Sequence, residues 1–307
     1  MSPAEPPPPP ATRPSDPVQG RSSDRGARID AARTRVPRPF ALLGSELATL
    51  FRRRRTIAML AALALVPILI AIAVRVTGAG SSGRGPAFLA DITQNGLFVS
   101  FTALVASIPL FLPLTIGVVA GDTVAGEASL GTLRALLIAP AGRLRLLLVK
   151  YVGALAFTAA ATAVIVLAGV ASGAALFPVG DVVLLSGETI GAGEFAGRAA
   201  LLVLYVTLSF SGLCAIGLFI STLTTIPVGA MAATVVLAGA SQIADALPQL
   251  DAIHAYLPSH YWFGFGDLLR APLVWDSFQQ NGWLQLGYVV VFGGLAVWRF
   301  LTKDVLS

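Results

Sequence analysis

From residue 56 to residue 301 the chain alternates long apolar runs with short polar breaks. Six runs are long enough to cross a bilayer: 56–74, 97–120, 151–176, 199–220, 227–244 and 284–301. About 20 helical residues at ~1.5 Å each cross a hydrocarbon core of ~30 Å. A helix also satisfies its own backbone hydrogen bonds, as lipid requires. The pattern therefore predicts an all-α integral membrane protein with six transmembrane helices, residues 56–307 forming one domain. Ahead of the first run, Phe40, Leu43, Leu47, Leu50 and Phe51 recur at helical spacing, and Arg52, Arg53, Arg54 and Arg55 close the segment. This predicts an amphipathic interfacial helix over 37–55, its arginines near anionic headgroups. Residues 1–36 are rich in Pro, Ser, Arg and Asp and lack periodicity. They are expected to form a disordered, solvated tail. With no apolar stretch after the start, a cleavable signal peptide is not expected.

Composition places the chain in lipid. It is 55% hydrophobic and 12% charged, against about 25% charged in a soluble domain, and its mean hydropathy is +0.79. The net charge of +5 reflects an asymmetry between loops. With the N-terminus inside, 17 Lys and Arg residues lie on the inner side and only Arg75, Arg84, Arg198 and Arg270 outside. Both termini are then expected in the cytoplasm. Nucleic acid is not an expected partner, because the arginine run abuts a span. The single cysteine, Cys214, lies in an apolar run and reads as a small packing residue.

The missing chemistry narrows the classes further. No Asp, Glu or Lys falls within the six runs, whereas ion-coupled transporters need an intramembrane carboxylate or a similar group. Lys150 precedes Tyr151 and Lys303 precedes Asp304, so no GxxxxGK[ST] loop exists to cradle ATP phosphates. His254 and His260 share an outer loop with Asp245, Asp251 and Asp267 but make a poor metal pair. No catalytic, cofactor-binding or metal-ligating residue is expected.

The densest set of special residues fills the break at 121–150. Gly126-Glu127 comes first, then Gly131-Thr132-Leu133, Leu136-Leu137, Pro140, Arg143 and Lys150. This predicts a short helix, a turn at Gly131, and a second short helix over 133–139. Thr132 would be its N-cap and Pro140 its stop. Leu133, Leu136 and Leu137 share one face and Arg134 lies on another, while Arg143, Arg145 and Lys150 mark the rim of the next span. So short a helix needs packing, a membrane surface or a partner to persist. An ordinary amphipathic interhelical loop is the plain alternative.

In this order the residues resemble the cytoplasmic loop of ABC-2-type transporter permeases, the membrane subunits of ATP-driven exporters. The entry to the next span at Lys150-Tyr151 and Gly153 fits as well. Ala128, Ser129 and Leu130 depart from the family's usual charged residues after the Glu. The resemblance implies a permease subunit that forms the export pathway, with an elbow helix over 37–55 and a cytoplasmic coupling helix. It implies contact with a separate ATP-binding-cassette ATPase subunit through Gly126, Glu127, Gly131, Thr132, Leu133, Arg134, Leu136, Leu137, Pro140 and Arg143. ATP and Mg would be bound by that subunit, with no cofactor in this chain. A second permease, identical or homologous, would complete the pathway in the inner cell membrane. The alternative is a non-transporting membrane anchor or assembly factor.

The outer loops differ in character. Residues 177–198 carry Asp181, Glu188 and Glu194 among glycines. Residues 245–283 carry Tyr261, Trp262, Phe263, Phe265, Trp275 and Trp283. This aromatic density predicts a re-entrant or interfacial segment before the last span, as the resemblance also implies; a substrate gate is the alternative. Phe101, Thr102, Ser107 and Thr115 on the second span, with Met231, Thr234 and Ser241 on the fifth, are candidates for a substrate pathway, ordinary packing being the alternative. The pairs Gly117/Gly121 and Gly169/Gly173 permit close helix approach without indicating against which helix. The short uncharged loop at 221–226 would offer a second, smaller contact for a partner.

Overall fold

A computed structural model describes residues 39–78, 92–93, 95–129, 142–184 and 186–302. Its contacts divide the chain at residue 41 into a unit 1–41 and a unit 42–307. Of the first, only the start of a helix is described.

That helix, α1 (Pro39–Arg52), ends within the segment expected to be amphipathic. Leu42, Leu43, Glu46, Leu47, Leu50 and Phe51 are half-buried, while Gly44, Ser45, Ala48 and Thr49 are exposed. Extended backbone at Arg53 separates it from α2 (Arg54–Thr77). The second apolar run is not the single helix expected over 97–120. It forms α3 (Phe98–Ser107) and α4 (Phe111–Ser129), with a break at 108–110. The cause is a pair of prolines four apart. Pro109 lacks an N–H, and its carbonyl would need the N–H of residue 113, which is Pro113. The Gln242 amide fills the vacancy, donating to the Pro109 carbonyl at 2.9 Å.

α4 continues to Ser129, and α5 (Arg143–Leu176) starts ahead of its expected beginning at 151. α5 has 34 residues and is about 51 Å long, well beyond a bilayer core. The short helix expected after residue 121 is therefore the tail of α4 itself. The second short helix, over 133–139, lies outside the described residues. A two-stranded hairpin, β1 (Val182–Val183) and β2 (Thr189–Ile190), is a small exception to the all-helical expectation. The fourth run forms α6 (Ala192–Ser209) and α7 (Ser211–Leu223), broken at Phe210. α8 (Pro227–Asp245) follows, then the short α9 (Asp251–His254) between two 3₁₀ turns, Pro248–Leu250 and Gly264–Leu269. α10 (Asp276–Thr302) begins before the expected start at 284. Among the described residues, six helical stretches are long and apolar enough to cross a membrane.

Glycines set how closely these helices approach. A Cβ on Gly121 would lie 2.7 Å from the Met231 Cα, and one on Gly117 would lie 2.7 Å from a Val235 methyl, so α4 meets α8 there. Gly169 and Gly173 on α5 face the backbone of Ser100 and Gly96 in the same way. Both small-residue pairs are thus used inside the subunit.

At the bundle end holding 245–275, the aromatic segment folds back onto the helices. Trp262 is fully buried, its ring 4.3 Å from that of Phe210 at the α6/α7 break. Its indole N–H donates to the Ser209 carbonyl at 3.1 Å, and the Tyr205 hydroxyl donates to the Tyr261 carbonyl at 2.7 Å. Gln285 of α10 accepts from the Gly212 N–H (3.2 Å) and donates to the Pro258 carbonyl (3.0 Å). Asn281 donates to the Ser209 hydroxyl at 2.7 Å. Arg198 is buried, donating to the Leu268 and Arg270 carbonyls that close the second 3₁₀ turn while pairing with Glu194 at 2.8 Å.

Candidate functional site

The site is built where α4 and α5 overrun the apolar bundle. Lys150 lies on the first turns of α5 with its side chain only 2% exposed. Its ammonium is 2.5 Å from Glu127 Oε1 on α4 and 3.3 Å from Glu46 Oε1 on α1. Three helices therefore meet at one cation. Burying an ammonium is costly unless it is paired, and two carboxylates supply the pairing here. Glu46 can reach because α1 lies close to α5 at Gly153, where an added Cβ would be 4.0 Å from the Glu46 Cγ.

A second group of charges stands beside the first. Asp122, one turn before Gly126 on α4, accepts from Arg55 at 2.5 Å and from Arg53 at 3.4 Å. These arginines flank the α1/α2 junction, so α4 is tied to it from a second direction. The arginine side chains are 43% and 47% exposed, so water weakens these pairs relative to the Lys150 cluster. The charges line a cleft of about 420 Å³ with Leu50, Val119, Ala154 and Pro227 on its apolar side.

One neutral side chain braces the same stretch of α4. Ser221, at the end of α7, is fully buried. Its hydroxyl accepts from the Val124 and Ala125 N–H groups at 3.0 and 2.8 Å and donates to the Gly121 carbonyl at 2.7 Å. It bridges the Gly121 carbonyl and the Ala125 N–H, the acceptor and donor that an α-helix pairs across one turn, on the turn that carries Asp122.

Of the residues singled out in sequence, Gly126 and Glu127 lie on this face, and Arg143 is the first residue of α5. Gly131, Thr132, Leu133, Arg134, Leu136, Leu137 and Pro140 lie outside the described residues. The pathway candidates are spread over α3, α4 and α8. Phe101 is buried between the rings of Phe98 and Phe195. Thr102 and Ser107 are buried. Thr115 and Thr234 donate to the Phe111 and Ala230 carbonyls of their own helices. Ser241 shares a 2.6 Å hydrogen bond with Ser259, and Met231 backs onto Gly121.

His260 pairs with Asp245 at 2.7 Å, and His254 with the Leu247 carbonyl at 3.0 Å. Among the described residues no three His, Cys, Asp or Glu side chains form a metal-ligating group. Glu46 and Asp122 are not singled out from sequence, and Ser221 is placed there in a loop at 221–226, whereas residues 221–223 are the last turn of α7 and Ser221 is buried against α4. Glu46 left a signal, a carboxylate on the apolar face of an amphipathic helix. Ser221 left none.

Long apolar helices, a charged overhang and a folded-back aromatic segment define a multi-pass helical membrane protein. The profile of the family described as ABC-2 family transporter protein matches residues 42–238. The chain therefore belongs to the ABC-2 family of transporter proteins. It is a transporter permease, a membrane component and not itself an ATPase; permeases of this family generally work with ATPase subunits. The match covers the charged cluster and ends within α8, short of the aromatic segment and α10. A search of curated proteins finds no match to this chain.

Proposed function

We propose that this chain is the permease subunit of an ABC exporter and that its charged end receives the stroke of a separate ATPase subunit. The reading rests chiefly on the Lys150–Glu127 pair. These residues stand on α4 and α5, the two helices that bracket residues 130–141, and they clamp the helices at the base of that segment. A push on 130–141 would then move both helices together rather than deform the chain between them. Glu46 and the Arg53/Arg55–Asp122 pairs would carry the same motion to α1 and α2.

In this reading α1 is the elbow helix, 130–141 hold the coupling helix, and the charged end faces the cytoplasm of an inner-membrane protein, in line with the excess of basic residues on that side. ATP and Mg belong to the ATPase. A second permease, identical or homologous, completes the pathway, with Phe101, Thr102, Ser107, Thr115, Met231, Thr234 and Ser241 as its proposed lining. The segment at 245–275 is the re-entrant outer element.

The test is export and ATP hydrolysis in vesicles holding the permease with its co-purified ATPase. Glu127→Gln keeps a hydrogen-bonding group but removes the charge opposite Lys150, a loss of about 1–3 kcal/mol. It is expected to insert normally yet lower export and stimulated hydrolysis together. Gly131→Val is expected to do the same more severely, since a β-branched residue is a poor substitute for glycine at the turn the sequence predicts there. A cysteine at Leu136 is expected to cross-link to the ATPase. Full activity in both variants with no such cross-link would sink the proposal. Failure to co-purify any P-loop ATPase would favour an anchor or assembly factor.

A further inference from the structure

Two of the buried polar side chains outside the charged cluster, Ser221 and Gln285, hold the two ends of one helix, α7. At one end Ser221 makes three hydrogen bonds to the backbone of α4 within Gly121, Val124 and Ala125. At the other, the Gly212 N–H, one of the four that a helix start leaves unpaired, is taken by Gln285 of α10, whose amide also holds the Pro258 carbonyl. One residue before α7, Trp262 packs on Phe210 and donates to the Ser209 carbonyl. Ser221, Gln285, Phe210 and Trp262 are all buried to within 1%.

α7 is also delimited along the chain. The backbone breaks at Phe210 (φ −96°, ψ 0°) and becomes extended at Thr224 (φ −125°, ψ 159°). Between these breaks, ten of its 13 residues are buried. At Gly217 an added Cβ would lie 2.7 Å from that of Ala120 on α4. A short helix packed along most of its length has little internal slack, and its two anchors lie about 14 Å apart along its axis.

We propose that α7 is a rigid link joining the charged end of α4 to the outer aromatic segment, with Ser221 and Gln285 its positioning residues. Displacement of α4 near Asp122 and Glu127 is passed through the Ser221 hydroxyl to α7. α7 passes it through Gly212 and Phe210 to Gln285, Pro258 and Trp262. The use of this link in transport rests on the functional reading above; its existence does not.

The experiment is amide hydrogen exchange on the full chain in lipid nanodiscs. Ser221→Ala removes all three of its hydrogen bonds to α4 and is expected to speed exchange at 121–127 at least about tenfold. The deciding variant is Gln285→Leu, at the far end of α7. It is expected to speed exchange at 258–262 and, several-fold, at 121–127, while α2 stays unchanged. Trp262→Phe keeps a packed ring, removes the indole donor and is expected to act in the same direction if Gln285→Leu does not fold. Unchanged exchange at 121–127 in the far-end variant, or an even rise that includes α2, overturns the link. In coupled vesicles each single variant is expected to lower export per ATP, the double variant being no worse than the worse single; additive losses overturn it too. The exchange result needs no ATPase, so failure of the link is distinguishable from failure of the exporter reading.

Discussion

Lys150 shows how one side chain can organise a charged surface. Its burial and its two carboxylate partners make it the costly member of the cluster. Lys150→Met would leave Glu46 and Glu127 without the cation they share, and because these carboxylates are 32% and 16% exposed the loss is expected to be about 1–3 kcal/mol. Arg55 is the instructive contrast. It is just as close to Asp122 but 43% exposed, and exposed pairs contribute only about 0.2–1 kcal/mol. Thermal unfolding in detergent is expected to show a large loss for Lys150→Met and almost none for Arg55→Ala. Equal losses would mean that proximity, not burial, sets the strength here. Sequence reading put Lys150 at the rim of a span. That it would be a buried hub could not be read there, because its partner Glu46 is 104 residues away.

Helix-to-helix distance is set by which glycines face a backbone. Gly173 abuts Gly96 so closely that an added methyl would meet its carbonyl, and Gly293 on α10 has nothing within 4 Å of a Cβ. Alanine should therefore act with opposite sign at the two sites. Gly173→Ala forces the turn at Gly96, just ahead of α3, away from α5 and is expected to cost about 1–3 kcal/mol. Gly293→Ala is expected to be neutral or stabilising by up to about 1 kcal/mol, the helix preference of alanine over glycine. Melting temperatures of the two variants check this. Arg198 acts at the same scale through the 3₁₀ turn it caps. Arg198→Met would leave the Leu268 and Arg270 carbonyls without their donor. Faster tryptic cleavage at Arg270 is the expected outcome, and an unchanged rate would show that the turn holds by itself.

For the molecule as a whole, the orientation across the membrane can be tested directly, because the structure supplies well-exposed reporters. Ser129 ends α4 at the charged end and Ser186 lies in the loop joining β1 and β2; both are exposed, whereas Cys214 is buried. On a Cys214→Ser background, a cysteine at Ser186 is expected to react with an impermeant thiol reagent in intact cells. One at Ser129 is expected to react only after permeabilisation. Labelling of Ser129 from outside would reverse the orientation inferred from the basic residues.

The sequence by itself determined the lipid-spanning class, the number of long apolar stretches, the helix ahead of the first of them and the polar break before the third. Each is a local property: an apolar run of sufficient length, a helical period or a cluster of charges is complete within a few turns of chain. The tertiary structure decided the rest. It made the proline break in the second run tenable: Pro113 denies the Pro109 carbonyl its helical donor, and Gln242 of another helix supplies one. It broke the fourth run at Phe210, against which Trp262 packs from the aromatic segment. It gathered Glu46, Glu127 and Lys150 from three helices, and set the Ser221 hydroxyl against the backbone of α4. In each case the deciding partner is distant in sequence. A serine bound to its own helix and a serine bridging another helix's backbone look alike until the packing brings that backbone to it.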